Sequence, residues 1–247
     1  MLVIDAFWEK RNLDIETKEI ILSDSDSLLD IENVLNSLPS KKQYIVVKIP
    51  AGKPDFIKLL TEKGFCFIES LFEVSLRITD FQLPKSLKKF DEMLTYRKLA
   101  SNKDFEKLEI EIKRGIFTTD RIALEPNFGI DISALRYINW LKDEVQKGSE
   151  IFEILCKEKP IGFFALKNLS DGKFDNFLAG MYRNDSAAGF GFSILSKPII
   201  ELQKKQAEFY VTHISSNNLA VMKLYFNFGF SPANVAYVMT KFYEVLV

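Results

Sequence analysis

The spacing of apolar residues changes period several times along the chain. Leu28-Leu29, Ile31, Val34-Leu35 and Leu38 recur at helical spacing and predict a helix that stops at Pro39. Tyr44-Ile45-Val46-Val47-Lys48-Ile49 is short, rich in β-branched residues and ended by Pro50-Ala51-Gly52, so it predicts a strand. Pro54 opens a short helix to Leu60, and Gly64 suits a left-handed cap. From Phe65 to Ile78, Glu73, Ser75 and Arg77 alternate with Phe72, Val74, Leu76 and Ile78, as in one or two strands. Phe81-Gln82-Leu83-Pro84-Lys85-Ser86 reads as a linker, which sets domains at 1–83 and 84–247.

Helical spacing returns over Asp104–Gly115 and Ile132–Lys147, the latter with Ala134-Leu135, Ile138 and Leu141 on one face. Ile151–Leu155 and Ile161–Lys167 then predict a hairpin around Lys157-Glu158-Lys159-Pro160. Phe174–Tyr182 is a third strand after the turn Asp171-Gly172. A glycine-rich loop and a helix follow, then a strand over Phe209–Ile214, a helix over Asn218–Phe228 and a last strand over Asn234–Phe242. An antiparallel hairpin among intermixed strands and helices predicts a mixed sheet.

One stretch occurs twice. Lys58-Leu59-Leu60-Thr61-Glu62-Lys63-Gly64-Phe65 and Lys223-Leu224-Tyr225-Phe226-Asn227-Phe228-Gly229-Phe230 agree at Lys, Leu, Gly and Phe with a constant separation of 165 residues. Asn218 then falls opposite Lys53, and Tyr225 opposite Leu60. Helix, glycine, phenylalanine and strand is also a common local sequence; if the halves are related, the first kept the fold and lost the polar groups.

Composition narrows the chemistry. The 247 residues are 47% hydrophobic and 27% charged, as in a globular chain with a sizeable core. Lysine plus arginine number 33 against 34 acidic residues, so no basic field gathers nucleic acid. No apolar run suits a membrane span, and the start lacks the pattern of a signal peptide. Only Cys66 and Cys156 are present, which fits a reducing cytoplasm. The single histidine, His213, leaves little for a metal centre, and no metal is expected.

The strongest local signal is Ser186-Ala187-Ala188-Gly189-Phe190-Gly191 between a strand and a helix. Glycines bring backbone N–H groups close to an anion, and a helix N-terminus favours negative charge, so a pyrophosphate fits. It is neither a Walker nor a Rossmann pattern, and the same turn also serves as a plain connector. The second signal is Asn218, placed to cap a helix, followed by Leu224-Tyr225 and Gly229-Phe230. Tyr225 shares a face with Val221, Leu224 and Phe228, which also suits a core tyrosine.

In this order, over residues 95–247, the elements resemble the GNAT superfamily of N-acetyltransferases. The resemblance implies an α/β (α+β) fold with a mixed central sheet flanked by helices, and a smaller, degenerate, GNAT-like N-terminal domain supporting the acceptor pocket. It implies that Ser186, Ala188, Gly189, Phe190 and Gly191 bind the pyrophosphate of acetyl-CoA, and that Asn218 and Tyr225 meet its pantetheine arm. The resemblance further implies that the strand around Leu178, Ala179 and Gly180 splays from its neighbour and holds the thioester oxygen, and that Tyr225 acts as general acid to the thiolate. Two departures stand out: Ser186 replaces the family's Gln or Arg at the head of the loop, and Pro198 lies within the following helix, implying a kink or a late start.

A narrower resemblance is to the dTDP-fucosamine type, which acetylates a 4-amino-4,6-dideoxy sugar nucleotide. It rests on Phe117-x-x-Asp120-Arg121, Pro126-Asn127-Phe128 and Arg136-Tyr137-x-x-Trp140, with Arg121 and Tyr137 as substrate-binding residues. The expected partners are acetyl-CoA and an amine acceptor, without nucleic acid or membrane, and the candidate assembly is a homodimer in the cytoplasm. His213, with the ordinary histidine pKa near 6.5, is a base for direct transfer from a ternary complex; Asp175, Asp185 and Glu153 are its rivals. Cys156 reads as a buried thiol rather than an acyl carrier. A different amine acceptor and a non-catalytic binding protein are the alternatives.

Overall fold

Each apolar stripe finds a sheet to cover in the computed structural model, which describes residues 1–38, 41–170 and 172–243. The expected stop at Pro39 and the Asp171 half of the turn at Asp171-Gly172 lie outside the described residues. The chain divides into two units, Met1–Phe72 with Ser215–Asn217 and Asn234–Val247, and Glu73–Ile214 with Asn218–Ala233. Among the described residues no helix is long and apolar enough to cross a membrane.

The first unit contains β1 (Leu2–Asp5), α1 (Phe7–Leu13), β2 (Glu16–Ile21), α2 (Leu28–Ser37), β3 (Gln43–Pro50), α3 (Pro54–Glu62), the start of β4 (Cys66–Arg77) and most of β10 (Ser231–Tyr243). Its strands run in the order β1-β2-β3-β10, with β2 and β3 parallel and the outer pairs antiparallel. Ser27 and Asp30 form a capping box at α2, and Pro54 starts α3. Ile31, Leu35, Phe56 and Leu60 of these helices close over Ile20, Ile45, Val47 and Ile49.

The second unit adds α4 (Lys85–Asp91), β5 (Leu94–Lys98), α5 (Asn102–Lys113), α6 (Arg121–Leu124), α7 (Ile130–Gln146), β6 (Glu150–Cys156), β7 (Lys159–Ser170), β8 (Lys173–Met181), α8 (Ser193–Lys204), β9 (Phe209–Ser215) and α9 (Leu219–Asn227). Its sheet runs β4-β9-β8-β7-β6-β5 and is antiparallel from β8 to β5. Leu108, Ile112, Ala134, Ile138 and Leu141 pack on Ile151, Phe163 and Ala165. The β6–β7 turn uses Lys157 and Glu158 at φ 47° and 64°, the primed geometry usually given to Asn and Gly.

The expected mixed sheet flanked by helices is present, while several short elements are new. β1, α1, β2, α4 and β5 carry too few apolar positions, or too many charges, to announce a period. The linker expected at Phe81–Ser86 lies inside the second unit and already starts α4. Ile78 N donates to Glu208 O at 2.9 Å, and Phe81 stacks on Phe228 at 5.9 Å, so this segment is held by packing. The helix after the glycine loop starts at Ser193 and runs through Pro198.

The 165-residue repeat extends to whole elements. α3 and α9 superimpose in number without a shift, and β4 and β10 follow them. Both helices end alike: Phe65 N donates to Leu60 O at 2.9 Å and Phe230 N to Tyr225 O at 3.2 Å, across glycines at φ 81° and 86°. The first unit draws β10 from the C-terminal copy, and the second draws Glu73–Arg77 of β4 from the N-terminal copy.

α8 is tied to α4 by a buried ion pair. Lys197 Nζ lies 2.8 Å from Asp91 Oδ2 and donates to the Asp91 carbonyl at 3.0 Å, and Ser196 Oγ donates to Asp91 Oδ1 at 2.6 Å. Asp91→Ala leaves a buried ammonium without its counter-charge and should cost about 3–5 kcal/mol in urea unfolding. Adding Lys197→Met should recover most of that loss.

Candidate active site

The site is built where two parallel strands part. β8 and β9 pair only at Lys173–Phe209, Phe174–Tyr210 and Asp175–Val211, although β8 runs on to Met181 and β9 to Ser215. Beside the last pair, the β7–β8 register shifts: Leu166 faces Asn176 and Ala165 faces Leu178, leaving Phe177 as the extra residue of a bulge. Asn176, Phe177 and Leu178 are therefore buried in succession. The unpaired edge of β8 beyond Asp175, with Leu178, Ala179 and Gly180, offers alternate backbone N–H groups to the gap. Gly180 leaves room for a close neighbour, since a Cβ there would lie 3.1 Å from Ile116 Cδ1 and 3.3 Å from Phe117 Cζ.

Four polar side chains converge at the parting. The orientation of the Asn176 amide that satisfies both ends donates from Nδ2 to Ala165 O at 3.0 Å and Leu178 O at 3.2 Å. Its oxygen then accepts from the Tyr210 hydroxyl at 2.6 Å. Tyr210 Oη lies 3.3 Å from Tyr225 Oη, and Thr212 Oγ1 donates to Asn176 O at 2.9 Å. Phe230 packs edge-on against both tyrosine rings, at 4.9 Å and 4.8 Å, because the α9 cap turns it back onto them. Burial pushes the Tyr225 hydroxyl up to about 12, while the neighbouring Tyr210 and Thr212 hydroxyls pull it down.

Asp175 lies on the opposite face of the sheet, beside Lys167 of β7 and Val211 of β9. Burial pushes its carboxyl up to about 7, with Lys167 working against that rise and Glu144 and Glu73 with it. Its Oδ1 is buried without a hydrogen-bond partner. The same face carries aromatic rings: Phe117 meets Tyr137 at 4.3 Å, Tyr137 meets Trp140 at 6.3 Å, and Trp140 meets Phe177 at 5.2 Å. Arg136 lies over the Tyr137 ring at 5.7 Å.

The glycine loop follows β8 directly. Asn184 accepts from Ala187 N at 3.1 Å and donates to Pro160 O at 3.1 Å, which fixes a tight turn over Asp185–Ala187. Ala188, Gly189 and Gly191 are exposed, and Gly189 takes φ 80°. Ala188, Phe190 and Ser193 spend their N–H groups on turn bonds, whereas those of Gly189, Gly191, Phe192 and Ile194 take no part in them. Gly191 and Phe192 lead into α8 and Ile194 lies in its first turn, so the loop meets the N-terminus of a twelve-residue helix, an end that favours an anion.

The remaining expected residues are placed as follows. Asn218 caps α9, accepting from Val221 N at 3.2 Å through its oxygen. Ser186 is half-buried in the turn. His213 is exposed and shares the β9 face of Val211, opposite Tyr210 and Thr212. Glu153 is held by Arg97 at 2.7 Å and by Tyr182 at 3.4 Å, and Asp185 belongs to the turn, so neither stands at the parting. Arg121 opens α6, whose cap Asp120 accepts from Ile122 N and Ser133 Oγ. Cys156 is buried at the end of β6. Asn176, Tyr210 and Thr212 escaped the sequence reading, since each looks like one more residue of an apolar strand.

The raised Asp175 pKa has a consequence for stability. Between the ordinary value of 3.8 and about 7, the folded state holds a proton that the unfolded state has released, so stability falls as pH rises through this window. The full effect corresponds to about 4 kcal/mol. Asp175→Asn should therefore stabilise the protein at pH 8 by about 2–4 kcal/mol and change little at pH 4, as read by urea unfolding at both values.

Neither a protein-family model nor a curated protein sequence matches the chain. Solved structures do. One is a GCN5-related N-acetyltransferase from Sphaerobacter thermophilus, with TM-score 0.64 and 9% identity, covering 98% of this chain and 76% of that one. Another, from Kribbella flavida, has TM-score 0.55 and 12% identity, covering 92% and 81%. A tandem GNAT protein from the clavulanic acid biosynthesis pathway has TM-score 0.56 and 11% identity, covering 92% and 75%. These likenesses show that the chain has the fold of the GCN5-related N-acetyltransferases.

Proposed function

We propose that this protein is an acetyl-CoA-dependent N-acetyltransferase working by direct transfer to a primary amine. The observation that carries the reading is the parting of β8 and β9 with Tyr225 on one face and Asp175 on the other. The loop N–H groups of Gly189 and Gly191 and the first turn of α8 suit the pyrophosphate, and the gap between β8 and β9 suits the pantetheine arm, with Asn218 as a candidate contact. The splayed edge around Leu178–Gly180 suits the thioester oxygen, because backbone donors fixed before reaction need no rearrangement as charge develops. Loss of the family's Gln or Arg at Ser186 leaves phosphate binding to backbone donors alone.

Asp175 is our choice of base over His213, since a buried carboxyl near 7 with an open oxygen suits the single proton that a neutral amine releases on attack. The amine nitrogen attacks the thioester carbon and passes its extra proton to Asp175. The carbon–sulfur bond breaks with its electron pair on sulfur, and Tyr225 supplies the thiol proton. Solvent restores both side chains.

For the acceptor, we propose the amino group of a nucleotide-linked amino-dideoxy sugar, in the manner of the dTDP-fucosamine type, in the cytoplasm. Its support is the panel of Phe117, Tyr137 and Trp140 beside Asp175, which suits the apolar face of a deoxy sugar or a base. Arg121 and Arg136, on the neighbouring α6 and α7, are the candidate cations for its diphosphate.

Acetyl-CoA at 100 times its dissociation constant should stabilise the fold by about 2.7 kcal/mol, seen as a thermal shift. Gly189→Asp places a carboxylate where phosphate belongs and should abolish that shift; an unchanged shift would make the loop a mere connector. Tyr225→Phe should lower kcat by roughly 10²–10⁴-fold at little change in KM for acetyl-CoA. A steady-state screen of amino sugars on dTDP and UDP against spermidine and peptide N-termini decides the acceptor. A fastest rate with a simple amine would remove the sugar nucleotide from the proposal.

A further inference from the structure

The N-terminal copy of the repeat is an internal control for the polar cluster. At the 165-residue separation, Tyr210 falls opposite Ile45, Thr212 opposite Val47, and Tyr225 opposite Leu60. Those three are fully buried and apolar, in a sheet where β2 and β3 pair along the whole of β2. Phe230 has its counterpart in Phe65, buried in the same way. The fold therefore closes this position with hydrocarbon alone. Hydroxyls occupy it in the copy whose strands part.

The direction of the hydrogen bonds follows from the Asn176 amide. Its Nδ2 faces two carbonyl oxygens, so its own oxygen faces Tyr210, and an amide oxygen only accepts. The Tyr210 hydrogen is thereby committed to Asn176, and the Tyr210 oxygen is left to accept from Tyr225 across 3.3 Å. If Tyr225 gives its proton to sulfur, one rotation of the Tyr210 hydroxyl turns a donor toward the phenolate. Among the described residues, Tyr210 and Thr212 of β9 and Asp175 and Asn176 of β8 are the groups bearing on Tyr225 from the strands packed against α9.

We propose that Tyr210 is a positioning residue for the Tyr225 acid, holding its hydroxyl at the parting of the strands and donating to the phenolate it leaves. The proposal rests on the reading of Tyr225 as the proton donor. In atoms, sulfur takes the electron pair of the broken carbon–sulfur bond and the Tyr225 proton. Tyr210 moves its hydrogen bond from Asn176 to the Tyr225 oxygen without losing its proton, and solvent later reprotonates Tyr225. Asn176 keeps its bonds to Ala165 and Leu178 throughout, so the bulge stays in place.

The test is a cycle on the full chain: Tyr210→Phe, Tyr225→Phe and the double variant. Thiol release is followed at saturating acetyl-CoA with the fastest amine among glucosamine, spermidine and a peptide N-terminus, or with water where none accelerates release. In parallel, ¹³C-labelled tyrosine is titrated by NMR with CoA bound, and Tyr225 is assigned by its loss in Tyr225→Phe. Tyr210→Phe should slow release by about 10- to 100-fold, the worth of one hydrogen bond to a charged group, at unchanged KM for acetyl-CoA. It should raise the Tyr225 pKa, and the double variant should be no slower than Tyr225→Phe. Wild-type release in Tyr210→Phe with slow release in Tyr225→Phe overturns the proposal and leaves the acid role standing. Additive slowing in the double variant also overturns it, because Tyr210 would then act apart from Tyr225. Wild-type release in Tyr225→Phe overturns the acid reading itself. Should Tyr210→Phe fail to fold, Tyr210→3-fluorotyrosine keeps the shape and strengthens the donor; it should lower the Tyr225 pKa, and an unmoved value overturns the proposal.

Discussion

The separation of β8 from β9 is the constraint on which the second unit depends. Pulling parallel strands apart strips both of ladder bonds inside a protein, where an unpaired peptide group is costly. The chain meets that cost with side chains. Asn176 reaches two carbonyl groups beside the bulge, and Thr212 donates to the Asn176 carbonyl from the facing strand. The bulge at Phe177 turns three successive side chains inward, which brings Asn176 within reach of Tyr210 while Phe177 joins the aromatic panel with Trp140.

Electrostatics follow from that geometry. Burial drives the titratable groups at the parting toward their neutral forms, Asp175 up to about 7, Tyr225 up to about 12 and Tyr210 upward as well. Asp175 and Tyr225 stand on opposite faces, so the sheet keeps the two groups apart by the thickness of a strand. Lys167 is shared between the Asp175 neighbourhood and the Glu144 carboxylate, 2.9 Å away, which limits how far it can draw the Asp175 proton off. The glycine loop after β8 meets the N-terminal end of α8, the end of a helix that carries partial positive charge.

The two copies of the repeat show how little of this is demanded by the fold. Both end their helix with the same glycine cap and return a phenylalanine to the core. In the first unit the loop between β2 and α2 is Leu22-Ser23-Asp24-Ser25-Asp26-Ser27, with Asp26 Oδ1 2.7 Å from the chain's amino terminus. At the 165-residue separation Asp24 and Asp26 stand where the second unit has Gly189 and Gly191. The first unit keeps an apolar core in the place of the polar cluster, and its strands remain paired.

Periodicity alone was enough for the long helices, the hairpin, β8, β9 and the mixed sheet, because their apolar faces repeat over many residues. Gly229 and Phe230 marked the end of α9, and Asn218 its start, because those residue types satisfy particular terminal bonds. Short or heavily charged elements such as β2, α4 and β5 leave no such trace, and the segment at Phe81 has the composition of a linker although Phe228 stacks on it. The membership of β10 and of the two parts of β4 could not be read either, since strand pairing joins residues more than a hundred positions apart. The polar cluster needed the tertiary structure most. Asn176, Tyr210 and Thr212 are ordinary strand residues in one dimension, and only the bulge and the parted strands bring their oxygen and nitrogen atoms to the Tyr225 hydroxyl. A hydrogen bond is decided by distances of a few tenths of an ångström, and sequence spacing fixes a side chain's face but not where that face ends up.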